Sequence, residues 1–99
     1  MFSLEFEQMN KSSLSGIRKQ FDDIDRQLMK LLGQRVQLSK QIAQVKKLKK
    51  IPIVQEENWD KKMKKRTLEN KRIKLNPDYL EQVFSIIHKE SIRIQQQNF

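Results

Sequence analysis

Arg35, Lys46, Ser91 and Gln95 are the side chains through which this sequence offers chemistry: two cations and two neutral hydrogen-bonding groups. Arg35 interrupts an apolar stripe that reads Leu14, Ile17, Phe21, Ile24, Leu28 and Leu31, then Arg35, then Leu38, Ile42 and Val45. The steps alternate three and four, the seam of one long helix packed against others. A guanidinium in such a seam is costly unless an anion meets it. Lys46 flanks the end of the same seam. Near the C-terminus Leu80, Phe84, Ile87, Ser91 and Ile94 repeat the pattern. There Ser91 is the polar slot, and Gln95 lies one turn further on the same face.

Positions 18, 25, 32, 39 and 46 are spaced by seven, so Arg18 and Lys46 share one edge of the first helix. They are too far apart along it to serve one small ligand within a chain. In an antiparallel dimer, Arg18 of one copy approaches Lys46 of the other. Arg35, Lys46, the borrowed Arg18, Ser91 and Gln95 then enclose a pocket suited to a small dianion, most simply a dicarboxylate. Singly, each residue has a plainer reading. A seam Arg snorkels or pairs with a nearby acid. Ser91 bonds its own backbone, Lys46 is one of several cations near a helix end, and Gln95 is surface. Trp59 reads as a packing residue. His88 has no partner nearby in sequence and gets no catalytic role. The lysines between 61 and 74 read as a solvated face. The constellation carries the argument.

The elements that must position these residues follow from few breakers: Gly 2 and Pro 2 in 99 residues. The pattern predicts an all-α fold of three helices, with a polar lead-in over 1–13 and a helical domain over 14–97. Ser12 or Ser13 caps the first helix, which spans about 14–49 and ends in cations that suit the negative end of its dipole. Pro52 stops it and makes Ile51 to Val54 an extended connector. Helix 2 spans about 55–71, with Glu56 and Glu57 in its first turn and a thin apolar face of Trp59, Met63 and Leu68. Asn76-Pro77-Asp78 opens helix 3, about 77–97.

Size and charge add bounds. A helix over 14–45 is roughly 45–50 Å long, whereas a compact domain of this size has a radius of gyration of about 13 Å. The 54 residues after Val45 do not cover such a rod, so an intertwined homodimer is expected. A formal charge of +9, from Lys+Arg 21 against Asp+Glu 12, points to anionic partners. Cys 0 excludes disulfides and thiolate metal sites and fits a reducing compartment. With neither a signal-peptide pattern nor a long apolar run, a cytoplasmic protein without metal, cofactor or membrane partner is expected.

With those residues on the page, the chain resembles the all-α chorismate mutases of the shikimate pathway. The resemblance covers about residues 14–97. It is carried by IRKQFDDIDRQLMKLLGQRVQLSKQIAQVK in helix 1, by the Pro52 connector and by FSIIHKESIRIQQ in helix 3. It implies a dimer with two equivalent pockets and rearrangement of chorismate to prephenate. It also implies site roles: Arg18 is lent to the other subunit and Arg35 faces carboxylates. Lys46 and Gln95 bond the ether oxygen of the breaking bond, and Ser91 contacts a carboxylate. Where many members carry acids that bond the ring hydroxyl, this chain has Gln55 and Trp59, and Asn58 stands where an Arg is common. Gln55 can still bond a hydroxyl; Trp59 offers a ring wall or an indole N–H.

The rival of the same fold is a lyase removing pyruvate from isochorismate, with the same cation set. A mutase acting on the amino analogue of chorismate would want the missing acids. A basic nucleic-acid-binding module would use helix 2, but the lysine run lacks interleaved aromatics, so no nucleic-acid partner is expected. Docking on another shikimate-pathway enzyme stays open on sequence alone.

Overall fold

The computed structural model describes residues 13–99. It contains three helices and, among the described residues, no strand: α1 Leu14–Lys49, α2 Glu56–Ile73 and α3 Pro77–Gln97. The fold is all-α, as the pattern predicted. Most of the 1–13 lead-in, with Ser12, lies outside the described residues. Ser13 caps α1: its Oγ accepts from the Gly16 N–H at 3.1 Å.

The chain divides into two compact units, Met1–Gln34 and Arg35–Phe99. In the described part of the first, α1 leaves its apolar stripe exposed: Leu14, Ile17, Phe21, Ile24, Leu28 and Leu31 all face outward. The second unit holds the last turns of α1 together with α2 and α3, and among the described residues the buried ones are all in it.

Each junction in this second unit has a local cause. At the end of α1, Lys50 turns left-handed at φ 57°. Its N–H donates to the Lys47 carbonyl at 3.3 Å, and the Ile51 N–H donates to Lys46 at 2.9 Å. These are the paired bonds of a Schellman ending, after which Pro52 prevents further helix. α2 runs two residues past Lys71 and ends where Lys74 turns left-handed at φ 63°, its N–H donating to the Asn70 carbonyl. The Asn70 side chain bonds both the N–H and the carbonyl of Leu75, each at 2.9 Å, and so shapes the short turn. Asn76 then caps α3, accepting from the Tyr79 N–H at 3.0 Å, with Pro77 in the first turn.

The α1 face buried within the chain is Ser39, Ala43 and Lys46, not Leu38, Ile42 and Val45, which remain 60%, 43% and 46% exposed. One residue is about 100° around a helix, so the two faces are adjacent but distinct. Small side chains explain the choice. Ser39 and Ala43 allow α3 to approach closely enough for the Ser39 and Ser91 hydroxyls to hydrogen-bond at 2.7 Å. α3 buries its predicted face, with Leu80, Ile94 and Gln95 buried and Phe84, Ile87 and Ser91 half-buried.

Because Asn76 satisfies a backbone donor that opens α3, Asn76→Ala is expected to cost about 1 kcal/mol of stability. Urea unfolding of the variant beside the wild type checks this.

Candidate active site

The second unit contains a pocket of about 230 Å³ between all three helices. Its polar floor is built by α1 and α3. Lys46 is 8% exposed and Gln95 is 6% exposed, and Lys46 Nζ donates to Gln95 Oε1 at 2.8 Å. Lys46 also donates to the Ile53 carbonyl at 2.6 Å, which holds the connector after Pro52 against the site. Gln95 Nε2 in turn donates to Ser91 Oγ at 3.1 Å. An ammonium only donates, so the amide oxygen of Gln95 must be the atom that faces Lys46.

Counting donors shows what is left over. Lys46 has three N–H donors and uses two. Gln95 has two and uses one. Each therefore keeps one N–H for a ligand, from groups already oriented by the protein. No buried side-chain polar atom among the described residues lacks a partner, so each polar atom here is already anchored by at least one bond while these two N–H groups stay in reserve.

The remaining walls are cationic and aromatic. Arg35 from α1 and Lys62 and Arg66 from α2 line the pocket with Lys46, while no Asp or Glu does. Trp59 stacks on His88, ring centroids 4.7 Å apart and tilted by 37°. Gln55, at the start of α2, has its Oε1 occupied by Asn58 Nδ2 at 3.1 Å. Burial and then neighbouring Lys62 hold the Lys46 pKa below its ordinary value. Burial also lowers that of His88, followed by Lys62, Arg66, Lys46 and Arg35. A neutral imidazole thus sits among four cations. Among the described residues, no group of three or more His, Cys, Asp or Glu gathers to hold a metal. No helix among them is long and apolar enough to cross a membrane.

Of the residues singled out on sequence, Arg35, Lys46, Gln55, Trp59, Ser91 and Gln95 line this one pocket. Arg35 is exposed within the single chain rather than enclosed in a seam. Arg18 belongs to the other unit and is exposed. One reading changes: Lys62, read with the lysines as a solvated face, lines the pocket together with Arg66. Ser39, Lys62, Arg66 and His88 were given no place in the pocket on sequence, although the spacing held a signal. Residues 59, 62 and 66 recur at three and four on α2, and residues 88, 91 and 95 do so on α3, which places each set on one helix face.

The depressed His88 pKa has a stability consequence with a definite sign. Below about 6.5 the unfolded chain binds a proton that the folded chain resists, so stability falls as pH drops through this range. His88 is the one histidine in the sequence. Thermal melting between pH 7.5 and 5 is expected to show a smaller acid-side loss for His88→Gln than for the wild type.

The geometry is a pocket lined by cations, with paired, preoriented donors. The profile of the family described as chorismate mutase type II matches residues 17–96, a span that includes every pocket residue. No curated protein and no solved structure matches the chain. The chain belongs to the chorismate mutase type II family and is accordingly an isomerase.

Proposed function

We propose that the pocket of the second unit is where chorismate rearranges to prephenate, with two copies of the chain completing two such sites. The observation that carries this reading is the buried Lys46–Gln95 pair, each partner with one N–H to spare, under walls with four cations and no acid. In the rearrangement the ether C–O bond breaks as the new C–C bond forms. No proton moves and no covalent enzyme intermediate is needed. Catalysis then rests on holding the compact conformer and stabilising charge on the ether oxygen. The spare N–H groups of Lys46 and Gln95 serve that oxygen. Arg35 and Ser91 take carboxylates, Gln55 and the Trp59 indole meet the ring hydroxyl, and Arg18 of the partner subunit closes the pocket. The isochorismate lyase and nucleic-acid readings are not favoured by the family match.

An intertwined homodimer is supported by the long apolar stripe that α1 leaves uncovered, since an exposed stripe of that kind seeks a second surface. The cysteine-free composition fits a cytoplasmic setting. Sedimentation equilibrium is expected to give twice the chain mass. A charged substitution in the stripe, Leu28→Glu, is expected to shift the protein to monomer with loss of activity.

The direct test is the loss of chorismate absorbance with purified protein. Arg35→Ala is expected to lower kcat/KM by about ten- to a hundredfold, the worth of charge-assisted bonds to an anion. Gln95→Glu replaces the spare donor by a carboxylate that repels the developing oxyanion. Activity of that variant is expected to return only as pH falls toward the ordinary range of a Glu carboxyl, about 4.3, and a flat pH profile would contradict the role of Gln95.

A further inference from the structure

Arg66 is held in an unusual way. Its guanidinium lies 4.0 Å above the centroid of the Phe84 ring, and Nη1 donates to Met63 Sδ at 3.4 Å. A thioether is a weak acceptor, so most of the five guanidinium donors are without a strong partner. The side chain is half-buried and lines the pocket. The ion pairs among the described residues, Arg26 with Asp23 and Arg93 with Glu90, do not involve it.

Its electrical surroundings are unfavourable in the free protein. Lys62 stands one turn before it on the same face of α2 and lines the same pocket. Arg35 is close enough, from α1, to lower its pKa further after burial has done so, and Glu69 offsets this only in part. Like-charged groups converging on one cavity without an acid destabilise the empty site. A carboxylate placed between them reverses the sign of every one of these interactions. The ring of Phe84 meanwhile backs the guanidinium, and a guanidinium carries the fork that two parallel N–H···O bonds to a carboxylate need.

We propose that Arg66 is a further substrate-binding residue, a fork from α2 that grips one carboxylate of the substrate within the same chain that supplies Lys46 and Gln95. This rests on the chorismate mutase reading and adds to it a carboxylate contact not carried by Arg35, Ser91 or the partner's Arg18. Arg66 thereby contributes affinity and selects for a diacid, while the ether oxygen stays with Lys46 and Gln95.

The test uses the purified protein with three substrates: chorismate and its two mono-methyl esters, each with one carboxylate blocked. Arg66→Gln keeps a flat polar group over Phe84 but removes the charge. It is expected to raise KM for chorismate about ten- to a hundredfold, with kcat changed far less. With one of the two esters the wild type already shows that loss, and Arg66→Gln adds nothing to it. Arg66→Lys, which keeps charge without the fork, is expected to fall between. A purely structural role would raise KM alike for all three substrates, and that result overturns the proposal, as does an unchanged KM. Should Arg66→Gln not fold, the same comparison on Arg66→Lys decides. An active wild type with a kinetically silent Arg66 sinks this inference alone, whereas a wild type inert on chorismate removes the reading on which it stands.

Discussion

A buried ammonium must find acceptors, and Lys46 finds two that belong to different parts of the chain. One is the Gln95 side chain on α3 and the other is the backbone carbonyl of Ile53 in the connector. Leaving either acceptor out would leave one donor of a buried ammonium unsatisfied, at a cost of about 1–3 kcal/mol. The need to satisfy that group therefore fixes the register of α1 against α3 and holds the connector on the pocket. The remaining polar contacts extend from it. Gln95 is turned by Lys46 so that its amide nitrogen faces Ser91, and Ser91 meets Ser39 back on α1. This chain of bonds orients donors in advance, which in the function we propose is the condition under which they stabilise developing charge without reorganisation.

Around this floor the charge is lopsided. Four cations and no acid line the pocket, and each cation raises the cost of the others. His88 registers the same field, since its imidazole is pushed toward the neutral form by burial and by all four. The packing of three helices thus holds these cations together against their repulsion, and in the function we propose a dianion relieves it. Aromatic rings contribute the geometry. Phe84 lies under Arg66 and Trp59 lies against His88, so polar groups are backed by flat, stiff surfaces rather than by flexible chains.

The first helix divides its surface between two tasks. Its small and polar positions, Ser39, Ala43 and Lys46, face the other helices of its own chain. Its large apolar positions, Leu38, Ile42 and Val45 in the second unit and the stripe from Leu14 to Leu31 in the first, remain exposed. Close approach between helices favours small residues, because the backbones must come near for Ser39 to reach Ser91. Bulky residues gain most where they interdigitate with an equally bulky surface, which the single chain does not provide. The dimer we propose is the arrangement in which both faces are used.

Three helices, their breaks at Pro52 and Asn76-Pro77, and the inward face of α3 were legible in the sequence, because periodicity, capping and proline geometry act over a few neighbouring residues. So was the set Arg35, Lys46, Gln55, Trp59, Ser91 and Gln95, in part from polar groups in apolar slots and in part from the family resemblance. The face by which α1 packs in its own chain was not legible. The stronger apolar stripe drew the eye, while the choice between adjacent faces depends on how closely α3 can approach. Lys62, Arg66 and His88 escaped for a related reason. A lysine-rich helix reads as solvated until a pocket is placed against one side of it, and a lone histidine has no meaning until other helices bring Trp59 and four cations around it. Sequence determined which groups were available and how each helix presents them. Only the tertiary structure decided which of those groups share a cavity, because that depends on distances between residues far apart in the chain.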